Sequence, residues 1–184
     1  TGVQTFALPI SSMFGEENTA ILLDCKDLST QHFKIDFKEY ELLLINTNVK
    51  HSLAESAYNE RRLICEKTAN LLGINSLRDA TLEDINAMRN QILEDDYQKA
   101  LYVIQENQRV LRAADAIQNN NLVALGDLLY KSHQGLQTQY KVSCEELDFL
   151  IDLTKDNRQI LGARMMGGGF GGCTINLIKR KEIE

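Results

Sequence analysis

Apolar residues follow two different periods along this chain of 184 residues. In the first quarter they form short runs typical of β-strands, at Ala20–Asp24 and at Tyr40–Asn46, and between these runs Phe33, Ile35 and Phe37 alternate with polar residues. The Leu-Leu-Leu-Ile centre of the second run predicts a strand covered on both faces. The alternating segment predicts a strand with one face in solvent.

The middle of the chain changes to the helical period. Two sequences of the capping-box type, Ser52–Glu55 and Ser143–Glu146, predict helix starts, and Gly73 predicts the end of the first helix. The predicted helices cover residues 52–72, a short segment opened by Thr81–Asp84, and residues 96–118, 122–132 and 143–155.

The clearest periodicity lies between residues 96 and 118, and Asn119–Asn121 is predicted to end that helix. Its predicted buried face consists of Tyr97, Leu101, Ile104, Leu111 and Ala114. The three acids Glu94–Asp96 lie at its start, and we expect them to be solvated near the positive end of the helix dipole.

The last section returns to strand. Gly162–Met166 leads into the run Gly167–Gly172, and Cys173–Ile178 follows it. A chain that passes from strands through several helices to a strand–glycine–strand turn predicts an α+β fold.

Composition narrows the classes of partner. Hydrophobic residues make up 43% of the chain, enough for a core, and the formal net charge is −6. This charge argues against a general nucleic-acid or anionic-membrane surface, because both favour basic patches. No apolar run approaches the roughly 20 residues that cross a bilayer. The four cysteines lie far apart without a CxxC pair, which predicts free thiols in a reducing cytoplasm and no zinc site.

The strongest local signal is the glycine run, in which Gly167, Gly168, Gly169, Gly171 and Gly172 occupy five of six positions. Ordering so many glycines is costly, so the turn must need backbone that other residues cannot adopt, or close approach to a ligand. Unhindered amides that wrap a phosphate and a tight hairpin between two strands both satisfy this requirement. The run is neither a P-loop nor a dinucleotide fingerprint, since no Gly-Lys-Ser/Thr ends it and no helix follows.

A second signal is the polar segment Asn46–Ser52 at the end of the Leu-rich strand, which suits either a site edge or a capped loop. Tyr58 follows on the predicted helix, and its side chain either reaches a ligand or belongs to the core. Arg61 and Arg62 either steer a nucleotide phosphate or are solvated. The neighbouring pairs His51–Ser52 and Ser132–His133 do not predict a nucleophile, because adjacent residues on an element do not face each other.

The order of the motifs carries more information than any one of them. Five segments follow one another: SMFG (12–15), AILLDC (20–25), NTNVKHSLAESAYNERR (46–62), SHQGLQTQYKVSCEELD (132–148) and GARMMGGGFGGCTINLI (162–178). This series resembles galactokinases, members of the GHMP small-molecule kinase superfamily. The resemblance runs from about residue 12 to residue 180. Most of the predicted helices lie between the third and the fourth of these segments.

The resemblance implies a fold and a domain organisation. Residues 36–184 match the C-terminal domain, which has a ferredoxin-like core with added helices, truncated at its end. Residues 1–35 match a remnant of the N-terminal domain, except that residues 1–10 resemble no part of the family and are expected to be foreign to it. We therefore interpret the chain as a fragment of a monomeric parent.

The resemblance also implies an activity: transfer of the γ-phosphoryl group of ATP to the anomeric hydroxyl of galactose, with Mg²⁺. Tyr58 matches the tyrosine that contacts the sugar, and Gly167–Gly172 match the glycine motif close to the phosphates. Leu8 stands at the position of the catalytic aspartate, and Thr5 replaces a glycine that contacts sugar. The other sugar-binding and phosphate-binding motifs of the family have no counterpart here.

The fragment alone is therefore predicted to be inactive. Two alternatives remain for the parent protein. One is a kinase that acts on N-acetylgalactosamine or another sugar. The other is a non-catalytic galactokinase-like sugar sensor, and a leucine in place of the catalytic aspartate at position 8 would fit such a protein.

Overall fold

The computed structural model describes residues 15–49 and 54–183, with side chains in the second range from residue 57 onward. The strands of the described ranges are β1 (Thr19–Leu23), β2 (Thr30–Lys34), β3 (Tyr40–Asn46), β4 (Ile160–Met166) and β5 (Cys173–Lys179). The helices are α1 (Ala54–Leu71), α2 (Leu82–Met88), α3 (Glu94–Gln118), α4 (Leu122–Thr138) and α5 (Glu145–Lys155), with 3-10 turns at Leu77–Asp79 and Arg180–Glu182. The α+β class is confirmed.

Two antiparallel sheets organise the strands. β1 pairs with β2, and β3, β5 and β4 form a second sheet in that order, with β5 in the centre. Cys173 at the start of β5 pairs with Met166 on one side and with Asn46 on the other. The glycine turn between β4 and β5 therefore lies at the same end of the sheet as the polar loop that follows β3.

The predicted division between residues 1–35 and 36–184 falls between the two sheets, since β2 ends at Lys34 and β3 begins at Tyr40. Asp24, directly after β1, forms an ion pair with Arg78 beyond α1, so the two parts are in contact. The domain boundary itself stays a prediction.

Local signals set several helix ends. Gly73 follows α1 with φ +69°, and the next amide, that of Ile74, donates to the Ala69 carbonyl oxygen at 3.0 Å. This left-handed residue ends the helix as predicted, because it redirects the chain at little cost for glycine. Thr81 and Asp84 form a reciprocal capping box at the start of α2, and Asn121 caps α4 by accepting a bond from the Ala124 amide.

Helix α3 contributes to all three apolar clusters of the core. The first lies between α1, α2 and α3, the second among α3, α4, α5 and β4, and the third among α3, α4 and β5. The buried members include Ala69, Ile85, Tyr97 and Ile104 in the first, Tyr102, Leu136, Leu147 and Met165 in the second, and Ala116, Leu122, Leu125 and Leu177 in the third.

Close backbone contact lets α4 pack on β4. A Cβ placed at Gly126 would collide with the Leu161 carbonyl group, and one at Gly162 would collide with the backbone of Gly126. The helix and the strand approach each other more closely than any larger residue pair would permit.

The expectation for β3 was wrong. Burial alternates along the strand, with Leu42 and Leu44 exposed to 44% and 54% and Leu43 and Ile45 half-buried. One face of β3 is therefore packed and the other is open to solvent. The strand predicted around Phe33–Phe37 is also displaced: β2 ends at Lys34, and Ile35 and Phe37 pack beyond it against the third cluster.

The helix predictions need three corrections. Leu111 on the predicted buried face of α3 is 58% exposed, and the core contact passes to Ala116 instead. α4 continues to Thr138 rather than ending at Ser132, because Gly135 lets the helix pack directly on the Tyr102 ring. α5 has no side-chain cap, since the Ser143 hydroxyl donates to the Asp148 carboxylate at 2.5 Å. The Ser52–Glu55 capping box lies outside the described residues.

The acids at the start of α3 are not simply solvated, and α3 begins at Glu94 rather than Asp96. Glu94 pairs with Arg89 at 3.0 Å and Asp96 with Lys67 at 3.5 Å. Asp95 pairs with Lys99 and Lys141, so this corner of the fold is an ion-pair network.

Candidate active site

Tyr58 and the glycine turn, which sequence analysis singled out separately, line the same cavity. Its volume is about 520 Å³, and Tyr58, Gly167 and Gly168 all contribute to its wall. The other lining residues are Arg61, Tyr102, Val103, Glu106, Asn107, Leu136, Tyr140, Val142 and Phe170. α1, α3, the end of α4 and the loop after it, and the β4–β5 turn therefore converge here, and a cavity of this size suits a small ligand.

The glycine turn divides into an open part and a packed part. Beyond Gly167 and Gly168 there is open space, since a Cβ at either would meet no atom within 4 Å. A Cβ at Gly169 would collide with the Val142 carbonyl group, and one at Gly171 would collide with the Val49 carbonyl oxygen. The first two glycines thus leave backbone accessible to a ligand, whereas the later ones serve the close packing of a hairpin.

The loop after β3 is tied to the end of the glycine turn. The Thr47 amide and hydroxyl both donate to the Gly172 carbonyl oxygen, at 2.9 and 2.8 Å. Asn48 has φ +57°, and its amide donates to the Asn46 side chain at 2.9 Å. The polar groups of residues 46–48 therefore shape this loop against the turn, and the rest of the predicted segment, residues 50–52, lies outside the described residues.

Arg61 has a role that sequence analysis missed. It is buried, with 8% of its surface exposed, so it is neither a solvated side chain nor a free phosphate ligand. Its Nε donates to the Tyr140 carbonyl oxygen at 3.2 Å, and its Nη2 donates to that of Lys141 at 3.0 Å. Arg62 is exposed and pairs with Glu66 one turn later.

These bonds connect α1 to the glycine turn in two steps. Arg61 holds the carbonyl groups of residues 140 and 141, and the next carbonyl, that of Val142, accepts the Phe170 amide at 2.8 Å. Because Gly169 packs on the same Val142 carbonyl, the helix that carries Tyr58 and the turn that carries Gly167 and Gly168 are held through one short loop.

Two further tyrosines give the cavity an aromatic wall. The ring centroids of Tyr102 and Tyr140 lie 4.9 Å apart at an interplanar angle of 32°. Burial raises the pKa of both phenols well above the usual value, and the Glu106 carboxylate adds to this effect at Tyr102. Both phenols therefore keep their protons at neutral pH and remain hydrogen-bond donors.

Glu106 is the acidic group of the cavity wall. It accepts a bond from the Ser132 hydroxyl at 2.5 Å, lies 3.4 Å from Arg164 Nη1, and pairs with Arg109 one turn further along α3. Its charge is thus balanced by two guanidinium groups, which reduces the repulsion that an anionic ligand in the cavity would meet.

Comparison with known proteins shows what this chain is similar to. A family model described as the C-terminal part of GHMP kinases matches residues 113–184, which are less than half of the chain.

Several galactokinases are similar to almost the whole chain. Galactokinase of Thermotoga neapolitana is 41% identical over 174 residues, which are 95% of this chain and 49% of that protein. Human galactokinase is 39% identical over 168 residues, which are 91% and 43% of the two chains. The resemblance inferred from the motif series is confirmed, and the chain spans about half the length of the relatives that it matches.

A solved structure shows the same arrangement in space. Lactococcus lactis galactokinase, determined in complex with galactose, superposes with a TM-score of 0.86 at 34% sequence identity, over 92% of this chain and 45% of that one. A mevalonate kinase of L. major is similar at the level of the fold alone, with a TM-score of 0.52 at 21% identity.

The neighbouring pair Ser132–His133 is not a nucleophile and its base. The Ser132 hydroxyl donates to Glu106, whereas His133 Nδ1 accepts the Met165 amide at 3.3 Å. His133 Nε2 lies 3.3 Å from the Asp148 carboxylate. Burial lowers the pKa of His133 despite this carboxylate, so the ring is neutral and joins α4, α5 and β4. The other pair, His51–Ser52, lies outside the described residues.

Several expectations fall on residues outside the described ranges. Leu8 and Thr5 lie outside the described residues, as does most of the SMFG segment. Across residues 15–49 and 54–183, no group of three or more His, Cys, Asp or Glu side chains is arranged to hold a metal ion. In the same ranges no helix combines the length and apolar character needed to span a membrane, and all four cysteines are free thiols.

One reason explains why sequence analysis did not identify the other residues of the cavity wall. Tyr102 and Glu106 lie on α3 beside the predicted apolar face, and Tyr140 lies in the loop after α4. The periodicity of their local sequence does not distinguish them from ordinary core or surface positions. Their roles depend on how α1, α3 and the glycine turn meet.

Proposed function

We propose that this chain forms one wall of the active-site cleft of a galactokinase, an enzyme that transfers the γ-phosphoryl group of ATP to the anomeric hydroxyl of galactose. The ordered motif series, the curated galactokinases at about 40% identity and the galactose-bound structural relative support this proposal. We also propose that the parent protein is a monomer in the cytoplasm, and the free thiols of the four cysteines suit that reducing compartment.

The observation that carries the proposal is that Tyr58 and the open glycines Gly167 and Gly168 line one cavity. A phenol hydroxyl beside unhindered backbone offers hydrogen bonds to a sugar and close approach to a phosphate within a short distance. Neither feature alone has this meaning, since a half-buried tyrosine and a glycine hairpin are both common in proteins.

Phosphoryl transfer depends mainly on positioning and on stabilisation of charge. In our proposal Tyr58 orients the sugar through its hydroxyl, and Gly167 and Gly168 leave room for the sugar or the transferred phosphate. Arg61 holds the loop that supports the turn. Mg²⁺, when bound to ATP, would neutralise phosphate charge.

The 184-residue chain should have no kinase activity by itself. Leucine stands at position 8, where the family has its catalytic aspartate, and a leucine side chain can neither accept a proton nor bind a metal ion. Galactose- and ATP-dependent release of ADP by the purified chain would contradict this part of the proposal.

A chimera tests the proposed function directly. Residues 11–184 are joined to the part of Thermotoga neapolitana galactokinase that precedes the matching region, which restores the missing half of the cleft. We expect galactose-dependent ADP release and formation of galactose 1-phosphate. The same assay with N-acetylgalactosamine tests the alternative substrate. A folded chimera that binds galactose without turnover would favour a sugar sensor, and one that neither binds nor phosphorylates a sugar would overturn the proposal.

A further inference from the structure

A second groove lies between α3 and α4, away from the glycine turn. Its volume is about 500 Å³, and it is walled by side chains from both helices and by Leu82. The polar side chains that matter most are Gln105, Gln108, Arg109 and Arg112 on α3 and Lys131 and Gln134 on α4.

The helical period explains why these residues face one groove. On α3, Gln108 and Arg109 follow Gln105 by three and four residues, and Arg112 follows them by four and three, so the four side chains form one stripe. On α4, Lys131, Gln134 and Thr138 form a second stripe by the same spacing. The two helices are in close contact beside the groove, because Gly135 of α4 packs directly on the Tyr102 ring of α3. Two stripes of hydrogen-bond donors therefore border one concave surface.

The charge of this groove is opposite to that of the chain. Three of its lining residues are cationic and none is a carboxylate, although the chain has a net charge of −6. Arg109 pairs with Glu106, but Arg112 and Lys131 form no ion pair with any described residue. Asp115 and Asp127 lie within one helical turn of them, yet neither forms an ion pair in the described ranges. The two cations are thus available to a ligand.

We propose that this groove is a binding site for a small anion whose phosphate groups carry two or more negative charges. Arg112 and Arg109 present planar guanidinium groups that match phosphate oxygens, Lys131 adds a point charge, and the glutamine amides donate to further oxygens. The site is separate from the proposed galactokinase site, and it does not depend on that proposal.

The groove is also connected to the cavity through one ion pair. Arg109 faces the groove, and its partner Glu106 lines the cavity beside Tyr102. An anion that binds Arg109 competes with Glu106 for this guanidinium group. Binding in the groove is therefore expected to change the environment of Tyr102, whose buried phenol lies near the Glu106 carboxylate.

Titration of the 184-residue chain with inorganic pyrophosphate tests the site, with calorimetry for the affinity and amide NMR shifts for the location. We expect saturable binding that shifts amides of residues 105–112 and 131–138. Arg112→Glu and Lys131→Glu should each weaken binding about tenfold or more, since each removes a charge-assisted hydrogen bond and adds a repulsive charge. Arg158→Glu is the matched control, because this exposed residue lies outside the groove, and it should leave the affinity unchanged.

The same titration distinguishes the groove from the glycine turn, where pyrophosphate could also be held. Shifts confined to residues 167–172, or an affinity that Arg112→Glu and Lys131→Glu do not change, would overturn the proposal. So would an equal loss of affinity in Arg158→Glu, which would indicate attraction by overall charge alone. Circular dichroism of each variant establishes that it is folded, and the milder Arg112→Gln replaces Arg112→Glu if the latter is not.

Discussion

The Arg61 guanidinium donates to the Lys141 carbonyl oxygen at 3.0 Å, and this bond joins helix α1 to the loop that supports the glycine turn. A second bond from the same group reaches the Tyr140 carbonyl oxygen. Removal of the Arg61 side chain would take a charged donor from both carbonyl groups. The bond therefore matters for both the stability and the shape of the cavity.

Arg61→Ala is expected to lower the free energy of unfolding by about 2 kcal/mol, because two carbonyl groups lose a charged donor. Arg61→Lys should recover only part of this loss, since an ammonium group cannot reproduce the fork of a guanidinium. Arg62→Ala is the matched control, and its effect should stay below about 0.5 kcal/mol because Arg62 is exposed. Urea unfolding of the three variants measures these differences. Equal effects at positions 61 and 62 would show that the Arg61 hydrogen bonds do not stabilise the fold.

Most elements of the fold were predictable from local sequence because their causes are local. Gly73, Thr81 and Asn121 act within a few residues of themselves, and β3 agrees with its prediction at both ends. The exposure of Leu42 and Leu44 was not predictable in this way, since it depends on how the rest of the chain packs against the sheet.

The site was predictable only in its separate parts. Thr47 binds Gly172 across 125 positions of sequence, and no local pattern reveals such a contact. The motif series placed Tyr58 and the glycine turn in one cleft by resemblance. The division of that turn into open Gly168 and packed Gly169 could not be predicted from the turn itself. It depends on the position of Val142, which lies in a different part of the chain.

This division predicts different effects for two neighbouring glycines. Gly169→Ala should destabilise the chain by about 2 kcal/mol or more, because the residue has φ +88° and its Cβ would collide with the Val142 carbonyl group. Gly168→Ala should change the stability by less than about 0.5 kcal/mol, since open space surrounds it. Thermal unfolding followed by circular dichroism compares them. Similar melting temperatures for the two variants would show that the turn is not packed as described.

Removal of a single hydroxyl tests the role of Tyr58 in the chimera. Tyr58→Phe should raise the galactose KM about three- to tenfold, as expected for one lost hydrogen bond, and leave the ATP KM nearly unchanged. Tyr130→Phe is the matched control, because its hydroxyl bonds Thr154 at 3.0 Å outside the cavity. Steady-state kinetics with both substrates measures the effect, and an unchanged galactose KM would exclude contact between this hydroxyl and the sugar.

Asp95 predicts a pH dependence of stability. Hydrogen bonds from Lys141 and then Lys99 lower its pKa from 3.8 to about 2. Between pH 4 and pH 2 the unfolded chain therefore binds more protons at this group than the folded chain does, so its contribution is present above about pH 4 and is lost as the pH falls to about 2. Urea unfolding should show this loss, and Asp95→Asn should make the decline less steep.

The control for this measurement is Asp127→Asn, since Asp127 is exposed and forms no ion pair in the described part of the chain. It should leave the acid decline unchanged. Because Asp95 is 45% exposed and Lys141 57% exposed, added salt should reduce the difference between wild type and Asp95→Asn. Identical acid profiles for wild type and Asp95→Asn would show that the network does not stabilise the fold.

The outer face of β3 predicts how the isolated chain behaves at high concentration. Leu42 and Leu44 are exposed on an edge strand, and an apolar edge with unpaired backbone groups is a template for association with other strands. Leu44→Lys should therefore reduce light scattering on concentration or warming. Leu93→Lys is the matched control: Leu93 is 71% exposed but precedes a helix rather than lying in a sheet, so its replacement should change scattering much less. If both substitutions suppressed aggregation equally, overall hydrophobicity would be the cause instead of the strand edge.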